Sequence, residues 1–279
     1  MIAFRDPFVR RENGGWRMFV GAALNDGTAA ALTYRSADLT AWTYDGIALA
    51  RHAREREPLW VGALWECPQL FVQGERAALL WSAWADDVAY YPAYAVGRYA
   101  DARFDAAQWG RLAYGDCHYA PSLFFDADDA PCLLFWLRGI ADPSEGWAGA
   151  HSIPYRVGIA NDRVVLEPHA DVARHRGARA LDGKVDSAAV DVDWQGAGEL
   201  TISSRGRVFV RLRRQGQAVS VIADATIGEV PVAGAVRVIL DGPILEICSE
   251  GGLFGAPRTT ECTEVTVDGE SFAAFPLSR

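Results

Sequence analysis

Two acidic residues could carry out acid–base chemistry, and each lies in a short motif that contains a proline. Glu66 follows Trp65 and precedes Cys67-Pro68, just before an apolar segment. Shielding from water there would favour the protonated acid, which can donate a proton to a leaving group. Asp6 lies sixty residues earlier beside Arg5, a cation that favours the ionised form of its neighbour. Two carboxyl groups in opposite protonation states are what cleavage of a glycosidic bond requires.

The elements that must position these acids are predicted to be strands. Short apolar runs recur between turn residues and long helical periods are scarce, which is typical of an all-β fold. Groups of about four strands are predicted at 8–49, 69–115 and 121–167. Units that repeat about every fifty residues indicate a β-propeller, in which the first strands of the blades converge on a central cavity. Asp6, Glu66 and Asp116 are each expected just before such a first strand.

The composition changes near residue 175. Nine of the ten tryptophans precede the basic stretch 173–179, and only Trp194 follows it. Beyond it, alternating segments such as 208–213, and the pair 236–240 and 244–248, predict short strands of a β-sandwich. We therefore predict a propeller domain at 1–175 and a sandwich domain at 176–279, with Arg174, His175, Arg176 and Arg179 in a solvated linker.

Composition excludes several classes of function. The net charge of −9 gives no electrostatic basis for binding nucleic acid or an anionic membrane, and it suits a small neutral carbohydrate better. No apolar run is long enough to span a membrane and no signal peptide is recognisable, so the sequence as written predicts a cytoplasmic protein. The five widely spaced cysteines, Cys67, Cys117, Cys132, Cys248 and Cys262, predict neither a metal site nor disulfides. No cofactor is expected.

Six segments of the chain form a series of short motifs. They are Phe4-Arg5-Asp6-Pro7, Tyr34 to Trp42, Trp65-Glu66-Cys67-Pro68, Gly115 to Pro121, Gly146 to Pro154 and Val236 to Ile247. Together these motifs resemble those of glycoside hydrolase family 32, the invertase, inulinase and levanase group. Their order and spacing agree with the family, and the resemblance covers nearly the whole chain. The resemblance implies a five-bladed propeller followed by a sandwich, acting on β-fructosides such as sucrose, inulin or levan with retention.

Family membership would assign a role to each matching residue. Glu66 would be the general acid/base, and Asp6 would stabilise the transition state by holding fructose hydroxyls. The substrate-binding residues would be Arg5, Asp116 and Trp136, with Cys67 as a small neighbour of the acid.

The same resemblance implies that part of the family's domain is missing. The family forms a covalent fructosyl-enzyme on an Asp of its first blade, in a Trp-Met-Asn-Asp-Pro-Asn-Gly type motif well before Arg-Asp-Pro. Here Arg5 begins that triplet, so about four blades and no nucleophile are expected. The open propeller edge would invite self-association, and hydrolysis by this chain alone is expected to be poor. A second departure is Ile153-Pro154-Tyr155-Arg156-Val157, where the family usually has Leu-Pro-Arg-Glu-Leu.

Other interpretations of these residues stay open at the level of sequence. Glu66 could be an ordinary ion-paired residue, Asp6 and Asp116 could be turn residues, and Trp136 could belong to the core. Asp38 is expected to cap a turn rather than to bind a ligand. At the level of function, the alternatives are a non-catalytic fructoside-binding or regulatory relative, or a decayed gene product. An arabinoside-cleaving propeller fits the fold but not the Glu66 motif.

Overall fold

The computed structural model describes residues 1–196, 198–223, 226–257 and 264–278, and within them it confirms the all-β prediction. Regular structure there consists of strands and one five-residue helix, α1 (Ala170–Arg174). No helix among the described residues is long and apolar enough to cross a membrane. Cys67, Cys117, Cys132 and Cys248 form no disulfide with one another, while Cys262 lies outside the described residues.

The first two sheets each contain four antiparallel strands in chain order, which confirms the first two predicted groups. The first sheet is formed by β1 (Ala3–Glu12), β2 (Gly15–Ala23), β3 (Thr28–Ser36) and β4 (Thr43–His52). The second is formed by β5 (Leu64–Gln73), β6 (Arg76–Ala85), β7 (Val88–Ala100) and β8 (Arg103–Arg111).

A shared apolar core joins these two sheets. Phe19 and Ala31 from the first sheet pack in one cluster with Trp65, Leu79 and Trp81 from the second. The rings of Trp65 and Trp81 are stacked, with centroids 4.3 Å apart. Because neighbouring residues of a strand point to opposite faces, this buried layer also fixes the direction of the side chains between its members.

A third sheet follows the order β10-β11-β13-β14, with β12 paired to β11. Its strands match the predicted segments between residues 121 and 167, and β12 is an addition to them. They are β10 (His118–Phe125), β11 (Pro131–Asp142), β12 (Trp147–His151), β13 (Tyr155–Ala160) and β14 (Arg163–Pro168), preceded by the short β9 (Ala113–Tyr114).

The rest of the chain forms two six-stranded sheets, and the predicted hairpin of 236–240 with 244–248 is confirmed. One sheet has the order β15-β24-β17-β18-β19-β20 and the other β25-β16-β21-β22-β23-β9. Their strands are β15 (Lys184–Val185), β16 (Val190–Trp194), β17 (Glu199–Ser204), β18 (Arg207–Gln215), β19 (Ala218–Ala223), β20 (Thr226–Pro231), β21 (Val236–Asp241), β22 (Ile244–Ser249), β23 (Gly252–Pro257), β24 (Val265–Gly269) and β25 (Phe272–Pro276). Alternate residues of both sheets enter one apolar core around Trp194.

The chain divides into two compact units. The first unit contains Met1–Leu112, Tyr119–Leu133 and Val157–Val164, and the second contains Ala113–His118, Leu134–Arg156 and Val165–Arg279. All contacts of Glu66 described below lie within the first unit.

Two sequence predictions are corrected by the structure. Asp6 and Glu66 do not precede their strands but lie inside β1 and β5. Arg176 is not part of a solvated linker, because it binds Asp191 and Asp193 at 2.7 to 3.0 Å, and Asp191 is fully buried. Arg237 binds Asp191 as well. Local composition could not reveal this network, since its acids follow fifteen residues or more after Arg176.

Candidate active site

A β-bulge displaces the strand at each of the two predicted acids. The register of β1 with β2 shifts between Arg5 and Phe8, and that of β5 with β6 shifts between Glu66 and Gln69. The residues inside the bulges are Asp6-Pro7 and Cys67-Pro68, with φ of 60° at Asp6 and 50° at Cys67. Proline has no amide hydrogen for the ladder, and bulges commonly redirect side chains near active sites. The Xaa-Pro pairs therefore explain locally why both strands bend at their acids.

Glu66 accepts two hydrogen bonds from residues that are distant in sequence. Arg5 Nη1 lies 2.8 Å from Glu66 Oε1, and the Tyr119 hydroxyl donates to Oε2 at 2.8 Å. The Arg5 side chain is 49% exposed and that of Glu66 only 13% exposed, while Tyr119 is buried. Arg5 was expected to act on its neighbour Asp6, but its guanidinium contacts Glu66 instead. Glu66 is thus ion-paired, and its partner Arg5 belongs to the other acid motif.

Asp6 orients the backbone beside Glu66. Its Oδ2 accepts the amide hydrogen of Cys67 at 3.1 Å. This amide lies within the bulge of β5, so a carboxylate from β1 of the first sheet holds the bulge in the second sheet. Burial, with the nearby charges of Asp6 and Glu66, raises the pKa of the Cys67 thiol to about 12, so the thiol stays protonated and uncharged near neutral pH.

Tyr119 is a site residue that the sequence interpretation missed. It precedes Ala120-Pro121, just as Arg5 precedes Asp6-Pro7 and Glu66 precedes Cys67-Pro68. Ala120 has a φ of 47°, in the same left-handed region as the bulge residues Asp6 and Cys67. The sequence therefore contained a signal for Tyr119, because three Xaa-Pro pairs are each directly preceded by a residue of this site. Those residues are Arg5, Glu66 and Tyr119, and they meet at the Glu66 carboxyl group.

A close approach between β2 and β5 supports the acid. Gly21 pairs with Arg5 in the first sheet, and a Cβ at Gly21 would lie 1.9 Å from the carbonyl oxygen of Trp65. Only glycine leaves room for this carbonyl. Since Trp65 is fully buried against Trp81, the peptide that leads into Glu66 is fixed from both sides.

The other two predicted substrate contacts lie in the second unit. Asp116 is an exposed residue of the connection between β9 and β10. Trp136 lies in β11, paired with His151, and is 47% exposed, which rules out a core role. Gly149 leaves space beside its indole, since a Cβ there would lie 2.9 Å from Nε1.

The second unit also holds a buried polar cluster that sequence analysis did not find. Glu246, within the C-terminal motif, accepts hydrogen bonds from the Tyr155 hydroxyl at 2.7 Å and from the Ile153 amide at 2.8 Å. His118 Nε2 lies 3.2 Å from the same carboxylate. Burial, with the charge of Glu246, raises the pKa of Tyr155, which keeps its hydroxyl protonated as a donor. The carboxylate is thus buried with its hydrogen-bonding capacity largely satisfied.

A surface groove of the first unit lies apart from these acids. It is lined by residues at 12–17 and 35–43, including Asp38, and by none of the predicted site residues. Asp38 Oδ1 accepts the amide hydrogens of Thr40 and Ala41, which lowers the pKa of Asp38 and confirms its role as a turn cap.

The family is established by comparison with known proteins. Residues 1–168 match the family model described as the glycosyl hydrolases family 32 N-terminal domain. The chain belongs to glycosyl hydrolase family 32.

Individual relatives are similar over only part of their length. A fructan 1-exohydrolase from Leymus chinensis is 33% identical over 188 residues, which is 58% of this chain and 30% of the relative. A sucrose-6-phosphate hydrolase from Zymomonas mobilis is 28% identical over 199 residues, which is 65% of this chain and 38% of the relative. The chain thus spans about a third of the length of these curated relatives.

Solved structures agree in fold. The GH32 beta-fructofuranosidase BmSUC1 from Bombyx mori aligns with a TM-score of 0.81 at 23% identity, over 99% of this chain and 66% of that structure. Sucrose-6-phosphate hydrolase from Lactobacillus gasseri aligns with a TM-score of 0.79 at 16% identity, over 99% and 66%. At these identities the likeness concerns the fold alone.

Proposed function

We propose that this chain carries the acid/base part of a retaining β-fructosidase site, with Glu66 as the general acid/base. The observation that supports this most directly is the contact of Arg5 and Tyr119 with Glu66, because it joins three family motifs at one carboxyl group. Family membership, and relatives named as fructan and sucrose-6-phosphate hydrolases, favour a β-fructoside of the sucrose, inulin or levan type as substrate.

The exposure of the two donors suggests how Glu66 could change partners. Arg5 is half exposed, so the hydroxyls of a bound fructosyl ring could attract it and free Glu66 Oε1 for the glycosidic oxygen. Tyr119 is buried and would remain on Oε2. Asp6 would stabilise the transition state through fructosyl hydroxyls, with Arg5 and the uncharged Cys67 beside them. The roles of Asp116 and Trp136 as substrate contacts remain predictions from the resemblance.

Catalysis by these 279 residues alone is proposed to be impaired, because they contain no match to the family's nucleophile motif. Loss of a nucleophile costs orders of magnitude in rate. The alternative is a non-catalytic relative that binds fructosides or regulates their use. Both proposals place a fructose-binding pocket in this chain, and they differ in turnover.

Calorimetric titration with fructose and sucrose, alongside an assay for released reducing sugar, tests the proposal. We expect binding with little or no turnover of sucrose. Formate, a small carboxylate that can occupy the space of a missing one, should increase release of 4-nitrophenol from 4-nitrophenyl β-fructofuranoside if the catalytic pocket is present. Binding without rescue favours the non-catalytic alternative. Absence of binding contradicts the proposed site, and rapid hydrolysis of sucrose by the purified monomer contradicts the proposed impairment of catalysis.

We also propose that the four-stranded sheets are blades of a propeller at 1–175 and that 176–279 forms a β-sandwich. One face of the first sheet carries exposed apolar side chains, with Phe4 48%, Val9 39% and Tyr44 53% exposed. This supports self-association through the open face. Sedimentation velocity should show a concentration-dependent dimer that Phe4→Ser weakens, and a monomer at all concentrations would contradict it.

A further inference from the structure

Ser82 is a fully buried hydroxyl residue that the proposed chemistry does not use. It lies in β6 directly opposite Glu66 in the strand register. Its Oγ accepts the amide hydrogen of Ala120 at 2.9 Å. Ser82 therefore connects the strand beside the acid to the Ala120-Pro121 segment that follows Tyr119.

The amide of Ala120 depends on this acceptor. Ala120 has a left-handed φ of 47°, and the next residue, Pro121, has no amide hydrogen. A partly buried amide that lacks a partner loses part of its hydration at a cost in free energy, so the acceptor at this point holds the segment in place. The equivalent amide of Cys67 is held in the same way by Asp6. Two successive Xaa-Pro segments with a left-handed residue are thus each held by a side chain from the preceding sheet.

A second acceptor lies within reach of the Tyr119 hydroxyl. The hydroxyl oxygen is 2.8 Å from Glu66 Oε2 and 3.4 Å from the carbonyl oxygen of Ala83. A phenol has one proton, so the two oxygens compete for it. A small rotation of the Tyr119-Ala120 segment would be enough to exchange one acceptor for the other.

We propose that Ser82 is a positioning residue that keeps the Tyr119 hydroxyl on Glu66 rather than on Ala83, by anchoring the amide of Ala120. Ser82 acts on the reaction only through Tyr119. The effect on fructoside binding rests on the proposed function, while the effect on Tyr119 itself does not.

The test uses the full chain labelled with 3-fluorotyrosine, with the ¹⁹F resonance of Tyr119 assigned by its absence in Tyr119→Phe. Glu66→Gln calibrates the displacement of this resonance when the carboxylate is replaced. We expect Ser82→Ala to displace it by at least half as much. Thr33→Val is the matched control, because Thr33 is also fully buried and its hydroxyl donates to the Gly46 carbonyl at 3.0 Å, away from the acid.

The Thr33→Val control should lower the melting temperature but leave the Tyr119 resonance in place. A Ser82→Ala resonance that stays within its linewidth in a folded protein overturns the proposal. So does an equal displacement in the control, since a general loosening would then explain both. If Ser82→Ala does not fold, Ser82→Cys supplies a weaker acceptor and should give a smaller displacement in the same direction.

A double-mutant cycle tests the route through Tyr119. Ser82→Ala should weaken fructose binding roughly tenfold in the parent chain, and it should have no further effect in the Tyr119→Phe background. Equal weakening in both backgrounds would show that Ser82 acts independently of Tyr119. If the parent binds no fructose, the proposed function fails while the ¹⁹F result still decides the position of Tyr119.

Discussion

Replacing Gly21 by alanine should disturb both stability and the acid site, because this position lies against the peptide that leads into Glu66. The added Cβ would lie 1.9 Å from the Trp65 carbonyl oxygen and 3.4 Å from Pro68 Cδ. An ordinary carbon contact needs roughly 3.5 Å, so β2 and β5 must separate by roughly 1.5 Å. Neither partner is the end of a flexible side chain, and Trp65 is fully buried, so the strain cannot be relieved by a rotamer change.

The expected loss of stability is about 3 kcal/mol, at the upper end of what overpacking usually costs. Denaturation in urea, followed by tryptophan fluorescence, measures it. A shift of roughly 1 Å at Glu66 should also weaken productive substrate contacts, by as much as about 10²-fold if the geometry is critical. Fructose titration and the ¹⁹F resonance of Tyr119 report that displacement.

Gly74→Ala is the matched control. Gly74 lies in the β5–β6 turn with a φ of 60°, and no atom lies within 4 Å of the added Cβ. Its cost should be only the left-handed backbone penalty of about 1 to 2 kcal/mol, with no change at Tyr119. If Gly21→Ala is no more destabilising than Gly74→Ala, or leaves Tyr119 unchanged, the close approach of β2 to β5 does not position the acid.

Four further predictions follow from individual contacts. Tyr119→Phe should weaken fructose binding roughly tenfold, measured by calorimetry, because the hydroxyl that holds the Glu66 carboxyl group in position is lost. Arg176→Ala should destabilise the chain by about 3 to 5 kcal/mol in urea, since it leaves Asp191 buried with fewer partners. Burial raises the pKa of Asp191, but the hydrogen bonds from Arg237 and Arg176 outweigh burial, so the net pKa is lowered. The ionised carboxylate therefore contributes fully to the free energy of unfolding above the unfolded pKa of about 3.9, and this contribution is lost as the pH falls through the lower folded pKa. The free energy of unfolding should consequently depend less on pH in the acid range in Asp191→Asn than in the parent chain. Iodoacetamide at pH 7.5 should leave Cys67 unmodified in the folded chain and alkylate it in urea, because burial raises its pKa to about 12, and rapid alkylation of the folded protein would contradict this environment.

The sequence by itself determined the strands and the order of the motifs. Alternation and turn residues are local signals, so β1 to β8 were predicted with errors mainly at their ends. The Xaa-Pro pairs were also visible, and they are the local cause of the bulges at Asp6 and Cys67. The third such pair, Ala120-Pro121, directly follows Tyr119 and marks it as a residue of the site.

Only the tertiary structure decided which side chains meet. Arg5 lies next to Asp6 in the sequence but pairs with Glu66, and Arg176 left its predicted linker for Asp191. Trp136 could equally have been a core residue until its strand showed it half exposed. These contacts depend on strand register and on the packing of one sheet against another, and a one-residue shift of register would turn every side chain of a strand to the opposite face. Such long-range pairing has no local signal, so the sequence named the acid but not the residues that hold it.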